Sequence, residues 1–187
     1  MLAVGLELFG TGGYRATTIE ALCAAANVST RNFYEEFGSR EALLLALHDE
    51  LNARALRAVV DAIGGVDEDN IAGRVRAGTE AYLDVMTSDR RWAQIALVES
   101  VGISADAELH RRTAIDRFVA LIEAEANRIA AAGLIERRDW HLTAVALAGA
   151  LNGLINTWTA NDDWQTMVPR IADEATRLIV LALEGPA

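Results

Sequence analysis

TTIEALCAAANVSTRNFYEEFGSRE, residues Thr17 to Glu41, carries two short amphipathic patterns with a turn between them. The first predicts a helix from Thr18 to Ala26, with Thr17 or Thr18 as N-cap and Ile19, Leu22, Cys23 and Ala26 on one apolar face. Asn27 stops it, because Asn tolerates the left-handed backbone that a sharp turn needs and that Gly more often supplies. Val28 plugs the turn. Ser29 is a natural N-cap for a second helix whose Phe33 and Phe37, four apart, must face inward. That places Thr30, Arg31 and Asn32, with Tyr34, on the outer side of the second helix near its start. Two such helices form a DNA-reading unit, in which the N-terminal residues of the second reach base edges in the major groove. A small side chain is needed where the helices cross, and Cys23 stands there.

The surrounding residues make this run similar to the DNA-binding domain of the TetR family of bacterial transcriptional regulators. The resemblance rests on Leu8-Phe9, Gly13-Tyr14, Thr17-Thr18, Val28-Ser29, Tyr34, Phe37 and Arg40-Glu41 in one register, over about the first quarter of the chain. It implies a three-helix helix-turn-helix head, and it assigns phosphate contacts to Thr18, Tyr34 and Arg40. The chain departs from the family pattern in three ways. Arg31 and Asn32 stand where the family often has a Gly, Asn27 replaces the usual turn Gly, and the basic residues that precede the first helix in the family have no counterpart before Met1.

Composition agrees with a helical protein. The chain has 187 residues, 52% of them apolar, and only two prolines, Pro169 and Pro186. A single cysteine excludes an internal disulfide and fits a reducing compartment. No apolar run of 18 to 20 residues is present for crossing a membrane, and Glu7 interrupts the short apolar start that a signal peptide would need. The expectation is a soluble cytoplasmic protein. Charge argues against bulk attraction to DNA. The net charge is −10, all 17 basic residues are Arg, and up to Leu45 three arginines face five glutamates. DNA binding would have to rest on a few placed contacts, because helix N-termini and hydroxyls also hold phosphates.

In order, the chain reads as about nine helices and no strand. The first, Leu2 to Phe9, ends at Gly10, Gly12 and Gly13, and the two reading helices follow. A fourth runs from Arg40 to about Ala62 and a fifth from Ile71 to Met86. The sixth spans Arg90 to Val101 and the seventh Ala105 to Ala132. Trp140 to Ala160 is the eighth, and the ninth runs from about Trp164 to Leu183, with Pro169 in or near its first turn. The expected division is a DNA-binding domain over residues 1–45 and a helical ligand-binding and dimerisation domain over 46–187.

The eighth helix is apolar on every side from Leu142 to Trp158, so it needs neighbours all round, and a second subunit could supply some of them. Val145, Gly149 and Gly153 would let another helix come close. The ninth offers a seam of Ile171, Ala175, Leu178 and Ala182. Together they resemble the paired C-terminal helices through which the family forms homodimers; the alternative is ordinary intrachain core. A ligand-sensing bundle needs a mostly apolar cavity with a few oriented polar groups. Its candidates are Tyr82, Met86, Trp92, Phe118, Asn152, Asn156 and Trp158. Asn152 is the leading contact, because a buried amide must find a partner.

His48, His110 and His141 fall on three helices without an acid or thiol at metal-ligand spacing, so surface or capping roles are expected and no metal site. The loop Asp67 to Asn70 lacks the features of a calcium loop, and Gly10-Thr11-Gly12-Gly13 follows a helix rather than a strand. No catalytic residue, cofactor or enzyme activity is expected. The reading is a ligand-responsive repressor: a homodimer on a palindromic double-stranded operator, released when a small-molecule effector enters the larger domain. Its transmission path is the helix from Arg40 to Ala62. A helical small-molecule-binding or scaffolding protein without DNA binding is the alternative, and an all-α enzyme a third.

Overall fold

The computed structural model describes residues 1–159 and 164–184, and among them every regular element is helical. The order is α1 (Leu2–Gly12), α2 (Ile19–Ala26), α3 (Thr30–Phe37), α4 (Arg40–Gly64), α5 (Ile71–Thr87), α6 (Arg90–Gln94), α7 (Ala105–Ala131), α8 (His141–Thr159) and α9 (Trp164–Glu184). A π-helical turn, Ile95–Glu99, continues α6. The chain forms two compact units: Met1–Arg54 with Met86–Arg112, and Ala55–Val85 with Thr113–Ala187.

The first unit holds the reading head. Its core is the apolar stripe of each short helix, and Phe9, Leu22, Phe33, Leu43, Leu44, Leu47 and Leu51 are all shut off from solvent. α2, α3 and α4 each start on the cap their sequence calls for. Thr18 Oγ1 accepts from the Ala21 N–H at 3.1 Å, Ser29 Oγ from Asn32 at 3.1 Å and Ser39 Oγ from Ala42 at 3.0 Å. Thr17 is a stitch instead: buried, its hydroxyl donates to the carbonyl of Gly13 at 2.8 Å. Asn27 ends α2 in the left-handed region, with φ 53° and ψ 45°.

Two local expectations give way to packing. α1 does not stop at Phe9. Gly10 and Gly12 lie inside it, and the chain turns at Gly13 with φ 85°. Gly10 serves close approach, since a Cβ there would sit 2.5 Å from the Cβ of Arg91 on α6. The sixth helix, expected as one element to Val101, leaves α geometry after Gln94. The widened turn aims Glu99 back at the head, where its carboxylate accepts from the Tyr14 backbone N–H at 2.7 Å and from Gln94 at 3.0 Å. Arg91 adds ion pairs to Asp89 and to Glu7 of α1.

The expectation of surface or capping histidines fails for His48. It shares the inward face of α4 with Leu44, Leu47 and Leu51 and is 4% exposed, with its ring edge-on to His110 at 5.6 Å. His110 Nε2 lies 3.1 Å from Asp49 Oδ1. Among the described residues no group of three His, Cys, Asp or Glu is arranged to hold a metal ion.

The second unit has its own apolar centres. One gathers Ile71, Ala126, Ile129, Trp140 and Leu183, and another Val119, Ala144 and Ala148. Buried Arg74 caps the end of α4 by donating to the carbonyls of Ile63 and Val66, both at 2.9 Å, and it pairs with Glu125 at 3.2 Å. α8 starts at His141 rather than Trp140, with the Asp139 carboxylate accepting from the His141 N–H at 2.9 Å. Pro169 falls five residues into α9, past its first turn.

His141 gives a pH-dependent feature. A hydrogen bond to Glu123 at 3.0 Å, and then that carboxylate's charge, raise the imidazole above its ordinary value of 6.5. The sign follows from linkage: the pair's contribution is complete below the unfolded value and fades as pH rises through the folded one. A proton NMR titration is expected to place His141 above 6.5, with Glu123→Gln returning it toward that value. An unshifted His141 would remove the pair.

Candidate nucleic-acid interface

α2 and α3 pack on each other with Leu22, Cys23 and Phe33 buried, and the opening of α3 faces outward. Thr30, Arg31, Asn32 and Tyr34 are all exposed there, Tyr34 by 55%. None of them is needed for the head's core, so they form a surface patch at a helix N-terminus. Arg31 leans along the helix, its Nε donating to Glu35 Oε1 at 2.9 Å. The Asn32 side chain meets the Ser29 hydroxyl at 2.9 Å. Its amide oxygen thereby accepts from the cap residue.

The three positions assigned to phosphate differ. Tyr34 is open. Thr18 is exposed but spends its hydroxyl on capping α2, and Glu20 beside it has its carboxyl held below the usual range, first by its own backbone N–H and then by Thr18. Arg40 is half-buried. Its guanidinium donates to the Thr17 carbonyl and lies 4.2 Å over the Tyr14 ring, so it also holds the head together.

The sequence pattern of bacterial regulatory proteins of the tetR family matches residues 1–47. The reading head carries that family's pattern. No match was found among curated protein sequences. Solved structures share the whole fold. A TetR-family regulator from Thermus thermophilus, PfmR, is 22% identical with a TM-score of 0.71, over 100% of this chain and 98% of that one. FadR of Bacillus subtilis, solved with stearoyl-CoA, is 15% identical with a TM-score of 0.84, over 96% and 95%. AibR, solved with isovaleryl coenzyme A and operator DNA, is 19% identical with a TM-score of 0.69, over 94% and 93%. The chain thus shares their fold, a helix-turn-helix head followed by a larger helical part.

The residues read as an effector site fall in both units. Tyr82 and Phe118 meet edge to face at 5.2 Å in the second unit, where burial pushes the Tyr82 hydroxyl up to about 12. Met86 and Trp92 belong to the first unit, both buried, with Arg54 5.6 Å over the indole of Trp92. Asn152 donates to the Ala148 carbonyl of its own helix at 3.1 Å, which takes up one of the two amide hydrogens. Asn156 is exposed, and the side chain of Trp158 lies outside the described residues.

α8 is not buried all round. Its inner face carries Ala144, Leu147, Ala148 and Ile155, while Leu142 is 78% exposed and Val145 44%; at Gly149 and Gly153 no atom of the described residues, apart from chain neighbours and the helix's own backbone, lies within 4 Å of where a Cβ would stand. The seam read on α9 divides. Ile171 and Ala175 are buried in the chain's own core, because α9 packs on α8 with that face; Leu178 and Ala182 are half-buried. Between the two helices runs a shallow apolar groove lined by Leu147, Ala150, Leu151, Leu154, Ala175 and Leu178.

Two elements of the head escaped sequence reasoning. Glu99 has no local signal, since its partner Tyr14 lies 85 positions away. The Arg31–Glu35 pair did have one, the i, i+4 spacing that joins opposite charges on a helix.

Proposed function

We propose that this protein is a ligand-responsive transcriptional repressor, a homodimer that holds a palindromic operator and lets go when a small molecule binds. The observation that carries the reading is α3. It is a TetR-type recognition helix with Phe33 buried, Phe37 half-buried and Thr30, Arg31 and Asn32 presented at its start. Residues 1–45 act as the DNA-binding domain, and 46–187 as the ligand-binding and dimerisation domain. The protein works in the cytoplasm without catalysis. Among the described residues no helix is long and apolar enough to cross a membrane.

Likeness of fold suggests where to begin with the effector. FadR and AibR were solved with acyl thioesters of coenzyme A, so that class is the first to screen. Tyr82 and Phe118 supply the aromatic wall in this reading. Asn152 becomes a secondary candidate, because a ligand would have to displace its bond to Ala148.

The test is selection of genomic fragments by the purified protein, followed by mutation of α3. Arg31 matches the O6 and N7 acceptors of guanine and Asn32 the edge of adenine. Arg31→Ala is expected to cost about 1 to 3 kcal/mol of operator binding and to relax preference at one base pair. Arg40→Ala should weaken all sequences alike. If Arg31→Ala leaves both affinity and preference unchanged in gel-shift titrations, the assignment is wrong. A second reading, a helical ligand-binding protein without DNA binding, draws on the excess of glutamate in the head; it predicts that no fragment is selected.

A further inference from the structure

The recognition helix sets an acid beside its reading arginine. Arg31 and Glu35 lie one turn apart, joined at 2.9 Å, with side chains 86% and 61% exposed, so the pair forms no part of the core. We propose that Glu35 is a positioning and specificity-determining residue: it orients Arg31 for guanine and sets a negative charge against DNA that lacks the matching base. This rests on the DNA-binding reading of α3.

The first argument is geometric. A guanidinium carries five donors in a rigid fork, and Glu35 occupies only the Nε–H. The four Nη hydrogens remain, and their end-on fork is one that can grip O6 and N7 of guanine together. An unpaired arginine on a helix surface would have to freeze several rotatable bonds on binding. Held by Glu35, it has lost part of that freedom beforehand.

The second argument is electrostatic. Non-specific binding comes almost entirely from cations meeting phosphates. Up to Leu45 this chain has three arginines against five glutamates, and two of those acids, Glu35 and Glu36, are exposed on the recognition helix itself. A carboxylate carried into the groove is repelled by every sequence. Only where Arg31 finds its guanine is that repulsion offset. Glu35 therefore lowers affinity for all DNA but lowers it least for the operator, which is discrimination by an unfavourable contact with the wrong partner. Glu36 has the same charge about 100° further round the helix and serves as the control for charge alone.

The experiment uses the full chain and the operator it selects. Binding of wild type, Glu35→Gln and Glu36→Gln is measured at several salt concentrations on three duplexes: the operator, the operator with the Arg31 guanine replaced, and random sequence. Glu35→Gln is expected to bind random DNA about tenfold more tightly and to lose about tenfold of its preference for the guanine. Its salt dependence should steepen by roughly one counterion. Glu36→Gln should tighten random binding while keeping the base preference. If Glu35→Gln retains the guanine preference, or if both variants lose it alike, the proposal is overturned. If wild type selects no sequence at all, the DNA-binding reading falls, and the proposal falls with it.

Discussion

Gly153→Leu is expected to turn the dimer into a monomer while leaving the chain folded. Apart from the chain neighbours and the helix's own backbone, no atom of the described residues lies within 4 Å of a Cβ built at Gly149 or Gly153, so a larger side chain has room in the isolated subunit. Leu in place of a helix-interior Gly even favours the helix by about 0.8 kcal/mol. The two glycines stand on the same outward face of α8 as Leu142 and Val145, the face that would meet a second copy. There the extra carbons would hold the partner helix off, and overpacking of such a contact costs about 1 to 3 kcal/mol per subunit. Operator binding amplifies the loss. Two linked heads engage two half-sites with an avidity gain of about 10² to 10⁴, and that gain vanishes when the subunits part. Light scattering at micromolar concentration and operator titration check both halves. A Gly153→Leu protein that stays dimeric with unchanged operator affinity would place the interface elsewhere.

The head was legible in the sequence because its determinants are local. Thr18, Ser29 and Ser39 each accept the capping hydrogen bond that their place before an apolar pattern implies, and the inward spacing of Leu22 and Phe33 emerges as buried core. What the pattern could not show is which element lies opposite. Gly10 reads as a helix stop by propensity, yet it is a contact surface for Arg91, some eighty positions away. His48 reads as polar and becomes core because α4 carries leucines on both sides of it along one face. For α9, periodicity identifies a seam of Ile171, Ala175, Leu178 and Ala182 but gives no sign that the chain's own α8 takes Ile171 and Ala175. The candidate base-reading residues were legible for the converse reason: exposure at the start of α3 follows from the burial of Phe33 alone. The effector residues fall in both units and were the least legible in the sequence, because an aromatic in an apolar helix marks burial whether or not a ligand is near.

Phe33→Ala is expected to dismantle the reading head without parting the dimer. Phe33 is fully buried, with its ring 6.0 Å from Phe37 and edge-on to Tyr34 at 5.6 Å. α3 is only eight residues long and cannot persist in water on propensity alone, so its place depends on this ring. Removing a buried phenylalanine costs about 3 to 5 kcal/mol, the lost transfer energy plus the cavity left behind. That is a large share of the 5 to 15 kcal/mol that typically holds a domain. Local opening of α2 and α3 should therefore become a hundredfold or more commoner, visible as faster amide hydrogen exchange across residues 19–37. Phe33→Leu keeps most of the volume and should cost much less. Operator binding should disappear in the alanine variant, because Thr30, Arg31 and Asn32 no longer hold one geometry. The dimer should survive, since the outward face of α8 lies in a unit with its own centres around Trp140 and Val119. Unchanged exchange in α2 and α3, or loss of the dimer together with DNA binding, would show that Phe33 does not hold the head in this way.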